Sequence, residues 1–314
     1  MSDERAPTVL NPTQERTLEM LRRSPTPVVF DPDVIASLTS DLADAIDHLS
    51  ERVLAAGDET IWLSKARISS VLGCEYHHLN PAPFDWTPAL AAGTVAHRAI
   101  ELLVGWRGEP IPATLVAEAI ERLIDAPGNI GDWLAQMTEA DRADLVNAAV
   151  DRVVKFTESF PPLDKRFIPV AESSLRWPES GPIVLAGKTD LTLGRAENGE
   201  ARKVIIDLKT GGMWPNHLDD LRFYALLETM RVGIPPRKVA GFYLDVGRAV
   251  VEDVTIDTLR SAAHRTLDAL GRAVELIEGR EPERRPQASC RWCPHSTECE
   301  PGTEWLTEQA ERDD

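Results

Sequence analysis

A short turn between two apolar runs constrains the fold of this chain more than any other feature of its sequence. Asn198-Gly199 is typical of a two-residue type I′ hairpin turn, because both central positions need positive φ. It separates residues 187–193 from residues 203–209. With these two residues as the loop, Asp190 is predicted to face Asp207 across an antiparallel pair of strands.

The predicted pair brings several charges together on an otherwise apolar hairpin. Asp190, Asp207 and Lys209 are predicted to share one face of the sheet, because facing residues and residues two apart in a strand project to the same side. Two facing carboxylates repel each other, so a positive charge is expected between them. The alternative is a surface salt-bridge ladder, but interior strands do not usually carry unpaired acids. The pattern favours a bound divalent cation.

These residues resemble a known family. Gly187-x-x-Asp190, followed by an apolar run into Asp207-x-Lys209, resembles the core motif of the PD-(D/E)xK nucleases, and Gly93-x-x-x-His97 resembles the additional motif of their RecB-like branch. The resemblance spans about residues 60 to 300. It implies an α/β fold with a restriction-endonuclease-like αβββαβ core and a helical insertion.

The resemblance also implies roles for individual residues. A Mg²⁺ or Mn²⁺ ion is expected on three side chains and one backbone carbonyl, those of His97, Asp190, Asp207 and Leu208. Lys209 is expected to orient the attacking water or help deprotonate it. Glu172 stands where the family often has another acid, which predicts a catalytic or metal-linked group; an exposed strand residue is the alternative.

One helix departs from the pattern of the RecB-like branch. On the helix predicted for residues 218–230 that branch usually has Gln-x-x-x-Tyr, whereas this chain has Asp220 at the glutamine position and Tyr224 at the tyrosine position. Tyr224 is predicted to position substrate, with core packing as the alternative. Asp220 could repel a phosphate or assist metal binding, and Arg222 is predicted to compensate for its charge and to contact substrate.

Three of the four cysteines lie within ten residues of one another. Cys290, Cys293 and Cys299, with the distant Cys74, suit thiolate coordination of a metal centre better than disulfide pairing. The arrangement resembles the [4Fe–4S] staple of iron–sulfur nucleases in the same branch, including AddB and the CRISPR adaptation nucleases. A tetrahedral zinc site, with His295 as an alternative ligand, is the competing interpretation.

Length and charge bound the organisation of the chain. We predict an N-terminal arm and acidic helix (1–60), a nuclease domain (61–280) with a helical insertion at about 110–160, a cysteine segment (281–300) and an acidic tail (301–314). The net charge of −17 is unusual for a nucleic-acid-binding protein, but most of the excess acid lies in the two terminal segments. With no long apolar run and no signal-peptide pattern, we expect a cytoplasmic protein that does not enter membranes.

The sequence therefore predicts a metal-dependent deoxyribonuclease, with exonuclease action expected, in DNA repair, recombination or defence. One alternative is a noncatalytic iron–sulfur protein that binds DNA or a partner helicase through a nuclease-like fold. Another is a zinc-stabilised interaction protein, which would be colourless where an iron–sulfur protein is brown. The sequence has no Walker A motif, so ATP-driven unwinding would have to come from a helicase or another repair or defence protein.

Overall fold

The computed structural model describes residues 9–57, 60–126, 128–214 and 216–313. The helices in these ranges are α1 (Pro12–Leu21), α2 (Pro32–Ala56), α3 (Lys65–Gly73), α4 (Glu75–Leu79), α5 (Pro88–Leu103), α6 (Pro112–Asp125), α7 (Asn129–Ala135), α8 (Glu139–Ser159), α9 (Asn216–Val232), α10 (Ile256–Ile277) and α11 (Glu300–Asp313). The strands are β1 (Ile61–Leu63), β2 (Val170–Trp177), β3 (Ile183–Leu193), β4 (Val204–Lys209), β5 (Lys238–Tyr243) and β6 (Arg248–Asp253). Short 3₁₀ helices cover Lys165–Phe167 and Ala288–Trp292.

The six described strands form one mixed sheet around the long strand β3. β2 pairs antiparallel with one edge of β3, while β1 and β4 share the other edge. β5 then pairs in parallel with β4, and β6 pairs antiparallel with β5. The order α5, β2, β3, β4, α9, β5 confirms the predicted αβββαβ core.

Helices cover both faces of this sheet. On one face the apolar stripes of α5, α6, α7 and α8 pack on Leu191, Val204, Ile206 and Phe242. On the other face α2, α9 and α10 pack on Leu185, Ile205 and Val239. β4 is therefore apolar on both faces, as expected of a strand covered on both sides. A polar group in this strand must find its partners at the strand end.

The Asn-Gly turn sets the register of the β3–β4 hairpin as predicted. Asn198 and Gly199 have φ of 51° and 78°, and Leu191 pairs with Ile206. Continuing this register places Asp190 opposite Asp207. The ladder between the two strands ends at Leu191–Ile206, however, so the acids lie where the strands begin to separate.

The two ends of the chain are more regular than predicted. The N-terminal arm predicted within residues 1–60 includes a regular helix, since residues 12–21 form α1. Pro12 stands at the start of that helix, where a missing N–H costs nothing, and Asn11 caps it. The segment predicted as an acidic tail forms α11 over residues 300–313. No described helix has the length and apolar character needed to span a membrane.

Candidate active site

The candidate site forms where two strands meet end to end. β1 pairs in parallel with residues 183–185 of β3, and β4 pairs antiparallel with residues 191–193. Because β2 occupies the opposite edge of β3, β1 and β4 approach each other along the same edge. Their carboxyl ends therefore point towards each other across residues 186–190. Side chains at the ends of both strands converge in this gap.

Asp207 is 2% exposed and lies between two lysines. Lys65, the first residue of α3, places Nζ 2.7 Å from Asp207 Oδ1, and Lys209 places Nζ 2.8 Å from Oδ2. Burial alone would raise the pKa of Asp207, but the two ammonium groups lower it below the usual range. The Lys209 contact is an ion pair without hydrogen-bond geometry. Asp207 Oδ2 thus has no hydrogen-bond partner within the described ranges.

His97 and Asp190 form the other half of the site. His97 Nδ1 lies 3.5 Å from Asp190 Oδ1, and the backbone N–H of Leu208 donates to Asp190 Oδ2 at 2.6 Å. Burial alone would lower the pKa of His97, but the carboxylates of Asp190, Asp207 and Glu172 raise it. The structure therefore places His97 beside Asp190, and Asp190 beside the backbone of Leu208. For Leu208 it shows the amide, not the predicted carbonyl, in contact with an acid.

Gly93 explains how α5 reaches the end of β4. A Cβ at this position would lie 3.0 Å from Thr210 Oγ1, just beyond Lys209. A larger residue would push the helix away from the sheet. The glycine of the Gly-x-x-x-His pattern therefore lets His97, one turn later, approach Asp190.

Glu172 occupies a strained position directly across β3 from the hairpin. Its φ is 53°, a conformation that costs a non-glycine residue about 1–3 kcal/mol. Ala171 pairs with Leu191 and Ser173 with Thr189, so Glu172 interrupts the ladder opposite Asp190. Its side chain is 22% exposed and forms an ion pair with Lys188. This geometry agrees with a functional acid better than with an ordinary exposed strand residue.

Tyr224 lies beneath the site. The side chain is 2% exposed, its hydroxyl donates to the carbonyl of Lys188 at 2.8 Å, and Lys65 Nζ lies 4.9 Å from the ring centroid. Burial raises the pKa of Tyr224 to about 12. A Cβ on Gly187 would lie 2.5 Å from Tyr224 Cε1, so this glycine leaves room for the ring. The position fits core packing beneath Lys65 and Lys188 better than contact with substrate.

Asp220 and Arg222 have different partners from those expected. Lys209 Nζ lies 3.1 Å from Asp220 Oδ2, so Lys209 bridges Asp220 and Asp207. Arg222 instead binds Glu252 at 2.7 Å and Asp219 at 3.2 Å. The charge of Asp220 is therefore offset by the lysine of the Asp-x-Lys motif. The structure does not bring Arg222 into the site.

An open cavity of about 610 Å³ lies over these groups, between the sheet and helices α5 and α6. Its lining includes His97, Glu172, Lys188, Asp190 and Lys209, with Arg98 and Arg122 on the helical side. A neighbouring cavity of about 480 Å³ shares Arg122 and continues to Arg107. Arg98, Arg122 and Arg107 thus form an arginine-lined path through the two cavities, and Glu101 lines both of them.

Lys65 is the member of the site that sequence reasoning missed. It belongs to no motif, and 142 residues separate it from Asp207. Ser64 caps α3 by accepting from the backbone N–H of Arg67, and this fixes where the helix begins after β1. Only the end-to-end meeting of β1 and β4 brings the lysine to the acid.

All four cysteines line one small cavity. Cys74, Cys290, Cys293 and Cys299 are free thiols, and Cys290 is buried. A Cβ on Gly302 would lie 3.3 Å from Cys299 Sγ and 3.7 Å from Cys290 Sγ, so a larger residue would crowd these sulfurs. His295 lines the same cavity, where its Nε2 lies 3.0 Å from the carbonyl oxygen of Asn80.

Neither set of residues forms a completed metal site. Among the residues that the structure describes, no group of three or more His, Cys, Asp or Glu side chains is arranged closely enough to hold a metal ion. At the acids, ammonium groups lie against Asp207. The buried Oδ2 of Asp207, which has an ion-pair contact with Lys209 but no hydrogen bond within the described ranges, and the neighbouring Asp190 and His97 are nevertheless oxygen and nitrogen donors of the kind that suit a hard divalent cation.

Comparison with known proteins identifies one family. A model of the PD-(D/E)XK nuclease superfamily matches residues 63–300. The crystal structure of a candidate exonuclease from Eubacterium rectale is similar at a TM-score of 0.46 and 14% identity, covering 74% of this chain and 87% of that one. The structure of SSO0001 is similar at a TM-score of 0.28 and 16% identity, covering 75% and 95%. With TM-scores below 0.5, neither likeness bears on activity. No curated protein matches the chain.

Proposed function

The chain belongs to the PD-(D/E)XK nuclease superfamily, whose model matches residues 63–300, and on this basis we propose that it is a metal-dependent deoxyribonuclease of the RecB-like branch. The observation that supports this most directly is Asp207. A buried, ionised carboxylate placed between two lysines and near a second acid is costly for stability alone. Such strain is typical of catalytic sites.

Each residue of the site has its own proposed role in the reaction. Asp190, Asp207, His97 and the carbonyl of Leu208 would hold Mg²⁺ or Mn²⁺. When bound, such an ion supplies charge stabilisation for the phosphoryl oxygens and a more acidic water. Lys209, held between Asp207 and Asp220, is placed to orient the attacking water and to offset charge that develops in the transition state. Glu172 and Lys188 form the opposite wall of the cavity.

We propose DNA as the substrate and the arginine-lined path as its route. Arg98 and Arg122 line the cavity, but they are paired with Glu101 and Glu118. Phosphate groups can replace such partly exposed carboxylates on an arginine. Trp214, which follows β4 and is 61% exposed, offers a stacking surface for an unpaired base. Exonuclease action, a role in repair, recombination or defence, and a helicase partner are parts of the same proposal.

The direct test is cleavage of end-labelled single- and double-stranded DNA with Mn²⁺. Asp207→Asn is expected to lower the rate by about 10³-fold or more, because it removes a metal ligand while keeping the shape of the side chain. Asp253→Asn, an exposed acid at the end of β6, is the matched control and should cut like wild type. Equal cleavage by Asp207→Asn and wild type would refute the assignment. A wild type that binds DNA but does not cut it would favour the noncatalytic alternative.

We further propose that the four cysteines hold a structural [4Fe–4S] cluster. Their common cavity, the closeness of Cys290 and Cys299 to Gly302 and the absence of disulfides among the described cysteines support thiolate coordination. Zinc is the competing metal. Anaerobically purified protein should be brown and contain iron and sulfide, and Cys293→Ala should lose both along with stability. Full stability without bound iron would refute a structural cluster, and a colourless protein containing zinc would favour zinc.

A further inference from the structure

Lys65 contacts two neighbours at once. Its ammonium lies 2.7 Å from Asp207 Oδ1 and 4.9 Å from the centre of the Tyr224 ring. An aromatic face attracts a cation over such a distance. The ring therefore still holds the lysine if it gives up the carboxylate that it neutralises. Its side chain is 28% exposed, which leaves it room to move.

Lys209 is held in the same way, between Asp207 and Asp220. Besides Asp207, each lysine thus has a different second neighbour. Lys209 has the carboxylate of Asp220, and Lys65 has the aromatic ring of Tyr224. A divalent cation on Asp207 would repel both ammonium groups, because like charges within a few ångströms disfavour each other at a buried site. Lys209 is retained by Asp220. In the described part of the chain Lys65 forms an ion pair with Asp207 alone, although the charge of Asp190 also helps to raise its pKa.

We propose that Lys65 is a positioning residue that acts as the counter-ion of Asp207 in the metal-free enzyme and that it gives up this carboxylate, while keeping its contact with the face of Tyr224, when a divalent cation binds. The inference rests on the proposed metal-dependent function. It assigns Lys65 the task of holding the carboxylate in place, and it assigns the Tyr224 ring the task of retaining the displaced lysine. The affinity for metal is then set by the competition between Lys65 and the cation.

The test is direct measurement of Mn²⁺ binding to the full-length protein by calorimetry without DNA. Lys65→Gln is expected to bind Mn²⁺ about tenfold more tightly, since a unit charge no longer competes for Asp207. Lys65→Arg keeps the charge and should stay within about threefold of wild type. Lys155→Gln removes an equal charge from an exposed pair on α8 and is the matched control, with unchanged binding expected.

Variants of Tyr224 separate this role from general packing. Tyr224→Phe keeps the ring face and should bind Mn²⁺ like wild type, whereas Tyr224→Leu should bind it about fivefold more weakly because displaced Lys65 has no ring to contact. In Lys65→Gln the same Tyr224→Leu change should have no further effect on Mn²⁺ binding. This non-additivity would not arise from packing alone.

The outcomes are distinguishable. Normal Mn²⁺ binding by wild type with unchanged binding by Lys65→Gln would refute the role of Lys65 and leave the proposed nuclease function intact. Equal effects of Tyr224→Leu with and without Lys65 would refute the role of the ring. Absence of Mn²⁺ binding by wild type would refute the proposed function and this inference together.

Discussion

Asp207 and Glu75 are two of the buried carboxylates of this molecule, and their cationic neighbours differ. Asp207, 2% exposed, lies between Lys65 and Lys209. Glu75, 0% exposed, accepts from Arg280 at 2.9 Å and from the backbone N–H of Glu283 at 2.8 Å. Arg272 and Arg285 complete its surroundings, each at 3.4 Å. One acid is surrounded by lysines, and the other is surrounded by arginines.

The difference in neighbours suits Asp207 to a chemical role and Glu75 to a structural one. A guanidinium is a planar fork that holds a carboxylate in a fixed geometry, whereas an ammonium is a point charge on a flexible stem. Both oxygens of Glu75 are hydrogen-bonded, while Asp207 keeps one oxygen without a hydrogen-bond partner within the described part of the chain. Glu75 joins α4 to residues 280–285, next to Cys74. Asp207 remains available to a cation.

The largest effect is expected when the lysine between Asp207 and Asp220 is replaced by an arginine. Lys209→Arg keeps the charge but cannot fit between Asp207 and Asp220 as a point donor, so cleavage should fall by about 10³-fold, or about 4 kcal/mol of transition-state stabilisation. Rates on end-labelled DNA with Mn²⁺ measure it. Lys203→Arg, at the lysine that pairs with Glu228 outside the site, is the control. A fully active Lys209→Arg would show that charge alone suffices.

The next test removes the structural carboxylate. Glu75→Gln leaves three arginines facing an uncharged amide, and the free energy of unfolding should fall by about 3 kcal/mol, measured with urea. Glu278→Gln, which alters the exposed pair with Arg52, should change stability little. Folded Glu75→Gln should cleave DNA at the wild-type rate. Loss of cleavage without loss of stability would contradict the structural assignment.

The pH dependence of the free energy of unfolding is a second test of the structural role of Glu75. Burial alone would raise the pKa of Glu75, but Arg280 and the Glu283 amide bring it below its usual 4.5. An acid whose pKa is lower in the folded state stabilises the protein above the unfolded pKa and loses this contribution as pH falls through the folded pKa. The stability difference between wild type and Glu75→Gln should therefore be constant near neutral pH and shrink below about pH 4.5. A difference that grows with acid would contradict it.

The smallest effect is expected from a lysine placed beside the structural acid. Arg280→Lys keeps the charge near Glu75 but loses the fork, and because Arg280 is 31% exposed the cost should be about 1 kcal/mol. Urea unfolding measures it, and cleavage should not change. If Arg280→Lys lowered the free energy of unfolding as much as Glu75→Gln does, Arg280 alone would account for the stabilisation of Glu75.

The hairpin and its two acids could be predicted because their information is local. The Asn198-Gly199 turn fixes the register from within the hairpin, and Asp190 and Asp207 follow from counting. Glu172 was predicted from the family resemblance alone. Its strained φ depends on how β2 is interrupted against β3, and no local sequence signal reports that.

Lys209 could be predicted beside Asp207 because it lies two residues away, but Lys65 and the arginines around Glu75 could not, because distant segments supply them. Lys65 reaches Asp207 only through the end-to-end approach of β1 and β4, and Glu75 meets Arg280 across 205 residues. Arg222 was expected near substrate because it lies beside Asp220 in sequence. Residues two apart on a helix do not face the same way, and Arg222 instead meets Glu252 on β6.

Gly187 has no side chain, and the geometry of the site depends on the space that this leaves. The Tyr224 ring occupies the volume that any side chain at position 187 would need. An alanine there would displace the ring and, with it, the surroundings of Lys65. In a genetic screen such an allele should resemble loss of a catalytic residue, and sequencing surveys that score only charged positions would overlook it.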